Sequence, residues 1–355
     1  MYDHKSELAE INSRLTKAGL SFKDMHILVT GGAGFLGSWI CEALLQQGAQ
    51  VVCVDNLSSG LWANIAHLSH NSAFTFIQHD ISQPIYFGKV MPGYVSYPPI
   101  IDPFDLVMHL ASRASPFEFK QYAISIMKSN TLGTMNALGI AKDHKAIFFY
   151  ASTSECYGDP PKDAVPTSEE YRGNVNPIGP RSCYDESKRA GEAFCKAYEL
   201  QHHVNIHIAR IFNTYGPRIR AGKEFGRVVP NFIEQCLHDE PITIFGDGLQ
   251  TRCFTYVVDE VEGLLKTAMI PEARGMPINI GQDKITNMLE LAELIKGLTN
   301  SKSKIVYKDL PIDDPVLRQP DLTRAKKILK WSPSTDLETG LKRTIEWFKA
   351  TIQLD

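Results

Sequence analysis

The sequence predicts an α/β protein: a doubly wound parallel sheet carrying a smaller mixed α/β lobe. Three observations predict it. "HILVTGGAGFLGSWICEALLQQGAQVVCVDN", residues 26–56, reads as strand, glycine-rich turn, helix and second strand. Short apolar strand signals then recur at 74–77, 105–110, 146–151 and 204–210, with helical patterns between them. That alternation is the mark of a parallel sheet covered on both faces. Beyond about residue 213 the pattern loosens into short strands ("PITIFG", "KIVYKD") and helices ("NMLELAELIKGL", "LETGLKRTIEWFK").

The elements follow in order. Residues 1–24 form an extension, in which Leu8, Ile11 and Leu15 keep the spacing of a short amphipathic helix. Residues 25–212 make the sheet domain, with a contribution expected from about 251–275. Residues 213–355 are mainly a lobe closing over the carboxyl edge of the sheet. The stretch 84–104, rich in Pro, Gly and Tyr, reads as a loop inserted before the fourth strand.

Bulk properties exclude several classes. The chain has 355 residues, 43% hydrophobic and 22% charged, with a formal net charge of −3. This is the composition of an ordinary globular protein. With no long basic run, nucleic acid is not expected as a partner. No apolar stretch approaches the roughly 20 residues of a membrane span. The N-terminus is too charged for a secretory signal. Seven cysteines without CxxC pairs read as reduced thiols of a cytosolic protein, and no metal site is expected.

The glycine turn carries the first chemistry. Gly31, Gly34 and Gly37 follow a strand and open a helix. A tight turn there lets a diphosphate reach the free N–H groups and positive dipole end of the helix. Asp55 ends the second strand, where a carboxylate accepts hydrogen bonds from ribose hydroxyls and repels a 2′-phosphate. NAD is therefore expected over NADP. Asp80, at the end of the third strand, is placed to meet the adenine edge.

The second site begins at "FFYASTSECYGDP", residues 148–160. A buried aromatic strand ends in Ser152, Thr153, Ser154 and Glu155, at the edge where open α/β sheets bind ligands. Tyr184 and Lys188 are four residues apart on a predicted helix and share one face. A lysine ammonium beside the phenol favours phenolate, so Tyr184 is expected to act as a base with a lowered pKa. The other stripe of that helix (Ala190, Ala193, Phe194, Ala197, Tyr198) is core or dimer surface.

From residue 26 to 350 the chain resembles the extended short-chain dehydrogenase/reductases that act on nucleotide sugars. The motifs are "TGGAGFLG", "SNTLGTMNAL", "STSECYG", "YDESKRAGE" and "RIFNTYGPR". Within that family it is most similar to the UDP-glucuronate decarboxylases, on "TSECYGDP", "NPIGPRSCYDESKR", "GRVVPNFI" and "LRQPDLTRAKKILKW". The resemblance implies an NAD-dependent decarboxylation of UDP-glucuronate to UDP-xylose through a 4-keto sugar, with the cofactor recycled in place. It implies Thr153, Glu155, Tyr184 and Lys188 as catalytic residues. Thr153 would bond the sugar's 4-hydroxyl, and Glu155, or a water it holds, would deliver a proton to carbon 5. It adds Phe35, Leu36, Asn56, Ile81, Leu110, Ala111 and Asn130 to the NAD site. Ser154, Asn213, Arg218, Arg220, Arg227, Arg252 and Arg318 are implied as ligands of the UDP-sugar. It also implies a homodimer through the helix stripes at 124–141 and 184–202.

Three departures stand out. Arg113 and Glu118 occupy positions that are proline and neutral in the decarboxylases. The 84–104 insertion is longer than expected. "GPRIRAGKEFGRVV" is about two residues longer than the decarboxylase pattern. It also puts Arg220 where the UDP-glucuronate 4-epimerases grip the carboxylate. Epimerisation at carbon 4 is thus the main alternative, followed by a 4,6-dehydratase reaction. A non-catalytic NAD-binding regulator would be expected to lack Tyr184 or Lys188.

Overall fold

In a computed structural model the structure describes residues 4–88, 95–97, 103–222, 227–309 and 317–351. Seven strands form one parallel sheet: β1 (His26–Thr30), β2 (Gln50–Asp55), β3 (Phe74–Gln78), β4 (Leu106–His109), β5 (Ile147–Thr153), β6 (Asn205–Ile211) and β7 (Pro277–Ile280). Their spatial order is β7-β6-β5-β4-β1-β2-β3, and every pairing is parallel. The chain moves outward from β1 in one direction and then in the other, so the carboxyl ends of β1 and β4 diverge at the switch point. Ligands of open α/β sheets bind in that crevice.

The strands are apolar on both faces, as a sheet covered on both sides requires. Phe149 and Ala151 of β5 pack into one core cluster, and Phe148 and Tyr150 into the other. On the first side lie α1 (Lys5–Lys17), α2 (Phe35–Gln46) and, later in the chain, a helix over Val257–Met269. On the second lie α3 (Phe119–Lys128), α4 (Thr134–His144) and α5 (Ser182–His202). A five-residue π-helical turn, Ser129–Gly133, joins α3 to α4.

The N-terminal extension is the expected amphipathic helix. Leu8, Ile11 and Leu15 of α1 are fully buried. Arg14 bonds Asp259 at 2.5 Å and Glu262 at 3.2 Å, both on the Val257–Met269 helix. The extension is thus part of the body of the protein.

The remaining helices are α6 (Val228–Leu237), α7 (Val257–Met269), α8 (Met288–Thr299) and α9 (Leu337–Thr351). In the lobe, Ile242–Phe245 and Ile305–Lys308 pair in parallel. β7 lies just beyond the 251–275 stretch read as the return to the sheet. Four residues, "PINI", are too few to show a period. The 84–104 stretch is more than a loop, because Ile85–Phe87 and Val95–Tyr97 pair in parallel. Residues 89–94 and 98–102 of it, and 223–226 of the long arginine segment, lie outside the described residues. All seven cysteines are free and buried. Among the described residues no helix is long and apolar enough to cross a membrane.

Candidate active site

A cleft runs along the carboxyl ends of β1 to β5. It is lined by Gly31, Gly34, Phe35, Leu36 and Gly37 from the first turn, and by Asp55 and Asn56 after β2. Asp80 and Ile81 after β3, Leu110 and Ala111 after β4, and Tyr184 and Lys188 from α5 line it as well. The glycines are needed here. Gly31 has φ +75°, and a Cβ on it would sit 2.7 Å from the Ala111 backbone. On Gly37 a Cβ would come within 2.2 Å of the Gly31 carbonyl oxygen. The backbone therefore closes tightly at the start of α2 and leaves its N-terminus open to an anion. A dinucleotide fits this cradle.

Asp55 is buried, and burial raises its pKa. It stays anchored by accepting hydrogen bonds from Ala33 N–H at 3.0 Å and Leu57 N–H at 2.8 Å. Asn130 does not line the cleft. It lies in the π-helical turn one layer behind, and its amide donates to Ser187 Oγ at 2.9 Å. Ser129, its neighbour, reaches the cleft instead. The π turn rotates this helix, so the side chain that the motif suggests points into α5.

Tyr184 and Lys188 share one face of α5, both buried. Tyr184 stacks on Phe119, with ring centroids 5.0 Å apart, and its phenol hydrogen-bonds Thr153. The expected lowering of its pKa is absent. Burial raises it, and the Thr153 bond and Arg227 offset this only in part, while Glu155 adds to it. Lys188 Nζ donates to the Ala151 carbonyl at 2.7 Å and stays 5.9 Å from the Tyr184 ring centroid. Its own pKa is pushed down to about 8 by burial. Desolvation therefore outweighs the ammonium.

Thr153 ends β5 and accepts the Glu155 N–H at 3.2 Å. The Glu155 carboxylate is buried between two guanidiniums. Arg181 Nη2 donates at 2.5 Å, and Arg318 grips both oxygens. Burial alone would raise its pKa, but Arg318 and then Arg181 hold it down at about 2. Asp185, one turn along from Arg181, is buried, and one of its carboxylate oxygens has no hydrogen-bond partner among the described residues. Burial, and next the Glu155 charge, push its pKa up to about 7. Neither Arg181 nor Asp185 was singled out from the sequence. Their spacing of four, straddling Tyr184, is the signal that was there.

The expected substrate residues divide. Ser154 and Arg318 lie at the end of β5, and Arg227 lines the cleft beside Tyr184. Arg218 departs from expectation: it is buried on Glu42 at 2.5 Å and over Trp39 at 4.3 Å. Arg220 donates to the Ser59 carbonyl at 3.1 Å, beside a second cleft that Arg218, Arg227 and Glu118 also line. Asn213 accepts the Thr255 N–H through its backbone, and Arg252 donates to the Thr251 carbonyl at 2.8 Å. Neither of these two lines the described clefts. His4, Glu42 and His67 bring ligand atoms within 4.8 Å of one another, but Arg218 is paired with that glutamate.

The comparisons agree with this geometry. Over 335 residues the chain is 43% identical to UDP-glucuronic acid decarboxylase 1 of Xenopus tropicalis, covering 94% of this chain and 75% of that protein. In fold it is similar to the UDP-glucose 4-epimerase of Thermotoga maritima, solved with UDP-glucose. The TM-score is 0.80 at 30% identity, covering 93% of this chain and all of that one. The UDP-glucuronic acid 4-epimerase of Bacillus cereus, solved with UDP-glucuronic acid and NAD, gives a TM-score of 0.76 at 28% identity, over 92% of this chain and 100% of that one. The sequence pattern of the NAD dependent epimerase/dehydratase family matches residues 27–281. With most of the chain inside that match, and the cradle it requires formed at Gly31 and Gly37, the protein belongs to the NAD dependent epimerase/dehydratase family.

Proposed function

We propose that this protein decarboxylates UDP-glucuronate to UDP-xylose through a 4-keto sugar, with NAD held in the cleft. One observation carries the reading: a buried, doubly arginine-paired Glu155 two residues past Thr153, beside Tyr184. The decarboxylase names of relatives such as that of Xenopus tropicalis support it.

The cofactor supplies reversible hydride transfer at carbon 4 and is not consumed. The rest is the work of this chain's residues. Tyr184 takes the proton of the 4-hydroxyl, with Thr153 bonded to it. Arg227 supplies positive charge that opposes the desolvation of the phenolate, and the Lys188 ammonium lies 5.9 Å from the ring centroid. The resulting ketone is β to the carboxylate, so carbon dioxide leaves with its electrons spread into an enolate. Hydrogen bonds from Tyr184 and Thr153 stabilise that oxyanion. Carbon 5 then needs a proton. Glu155 is ionised by its arginines, so it serves by orienting the water that delivers the proton rather than by holding a proton itself. Arg227, lining the cleft beside Tyr184, is a cation for the diphosphate or the carboxylate, and Arg's forked donors suit both.

A homodimer is part of the same reading. Ile124, Met127, Leu132 and Met135 are exposed along the α3–α4 face next to α5. Such a contiguous apolar stripe is the kind of surface that pairs with a second copy.

Mass spectrometry of the products from UDP-glucuronate and NAD tests the reading. The expected product is lighter by one carbon dioxide. A product of unchanged mass with an inverted carbon 4 would overturn it in favour of epimerisation.

A further inference from the structure

Arg113 and Glu118 depart from the decarboxylase pattern, and the mechanism above uses neither. The structure puts both into one set of contacts. Arg113 follows β4. Its Nη2 donates to the Ser58 carbonyl at 2.5 Å, and its Nη1 pairs with Glu118. The guanidinium lies 4.1 Å above the Tyr122 ring. Tyr122 stands at a break in α3, with φ −118° and ψ 21°, and this local distortion accompanies the stacking. The pair is largely buried, with 12% and 8% of the two side chains exposed.

Ser58 belongs to the segment that follows the ribose-binding candidate Asp55. Ser58 and Arg113 line the same cleft as Gly31, Gly34 and Asp55. Arg113 therefore ties the segment after β2 to the segment after β4, between positions 55 residues apart in sequence. Arg220 ties the neighbouring Ser59 carbonyl from the lobe side. Arg113 Nε is buried and has no hydrogen-bond partner among the described residues.

We propose that Arg113 is a cofactor-retaining residue: it straps the 56–60 segment across the cleft and keeps a dinucleotide diphosphate bound between turnovers. The proposal rests on the functional reading above in one respect, that the cleft holds NAD. A reaction that returns its hydride to the same sugar gains from a cofactor that stays in place. The strap needs a fork: one arm is used on Ser58 and another on Glu118. A lysine keeps the charge but cannot make these bonds together, and proline at this position makes none of them.

The test measures NAD on the purified full-length protein, without substrate. The dissociation rate is followed by displacing bound NAD with an excess of a fluorescent NAD analogue. Arg113→Gln is expected to lose NAD about tenfold faster than the wild type or more, as loss of a hydrogen bond to a charged group implies. Arg113→Lys is expected to fall between the two, about threefold or more above the wild-type rate. Circular dichroism checks folding, and if the glutamine variant is unfolded the lysine variant decides. Wild-type retention by the folded variants would overturn the strap alone. A wild-type protein that binds no NAD would overturn the functional reading and the strap with it.

Discussion

Glu155 keeps a charge that burial alone would remove. Its two arginines make the difference, and a buried pair broken on one side is costly, about 3–5 kcal/mol. Glu155→Gln leaves Arg181 and Arg318 facing a neutral amide and takes away the carboxylate proposed to orient water. The variant is expected to form UDP-xylose about 10²–10⁴-fold more slowly, while substrate still reduces the bound cofactor. In heavy water, NADH absorbance and deuterium at carbon 5 report the two steps separately; full-rate, fully deuterated product would show that Glu155 has no part in the proton step. Lys188 sets a pH dependence. Its folded-state pKa of about 8 is below the ordinary 10.5, so the ammonium is lost as pH rises through about 8. Turnover is expected to fall above that pH. Stability moves the other way: between the two values the unfolded chain binds the extra proton, so this group's contribution to stability rises with pH. Turnover flat to pH 10 in a folded sample would remove Lys188's charge from the mechanism.

At the scale of elements, α1 is a stabilising part of the fold. Ile11 is fully buried among residues of α2 and α7. Ile11→Ala is expected to destabilise the protein by about 2–5 kcal/mol, as other large-to-small core changes do. Denaturant unfolding measures it; a change under about 0.5 kcal/mol, typical of surface sites, would mean that the extension is only loosely attached. The π turn at Ser129–Gly133 is the second instructive element. By turning Asn130 towards Ser187, it fixes α3 and α4 against the helix that carries Tyr184 and Lys188.

At the scale of the whole molecule, the proposed dimer rests on the exposed α3–α4 face. Ile124 is 67% exposed in the single chain, so a charge there costs the isolated subunit little. Ile124→Glu is expected to shift the protein from dimer to monomer in sedimentation velocity, with the thermal transition of the subunit little changed. A wild-type protein that sediments as a monomer would refute this use of the face.

The sequence by itself determined the doubly wound sheet, the glycine cradle, Asp55, and the pairing of Tyr184 with Lys188 on one helix face. These features are local. Strand and helix periods, a turn that only glycine tolerates, and an i, i+4 spacing are all written within a few residues of one another. It also placed α1 correctly, because Leu8, Ile11 and Leu15 already define a stripe. What it could not decide were relations across long separations. The charge on Glu155 depends on Arg318, 163 residues away. Arg218 is the same residue type as Arg227, yet it pairs with Glu42 and packs over Trp39 at the second cleft, away from Tyr184. Lys188 was expected to lower the Tyr184 pKa, but burial of the phenol overrides it. In each case the outcome depends on how much water packing removes and which opposite charge is brought alongside. Only the tertiary structure sets those two quantities, because both depend on residues far apart in the chain.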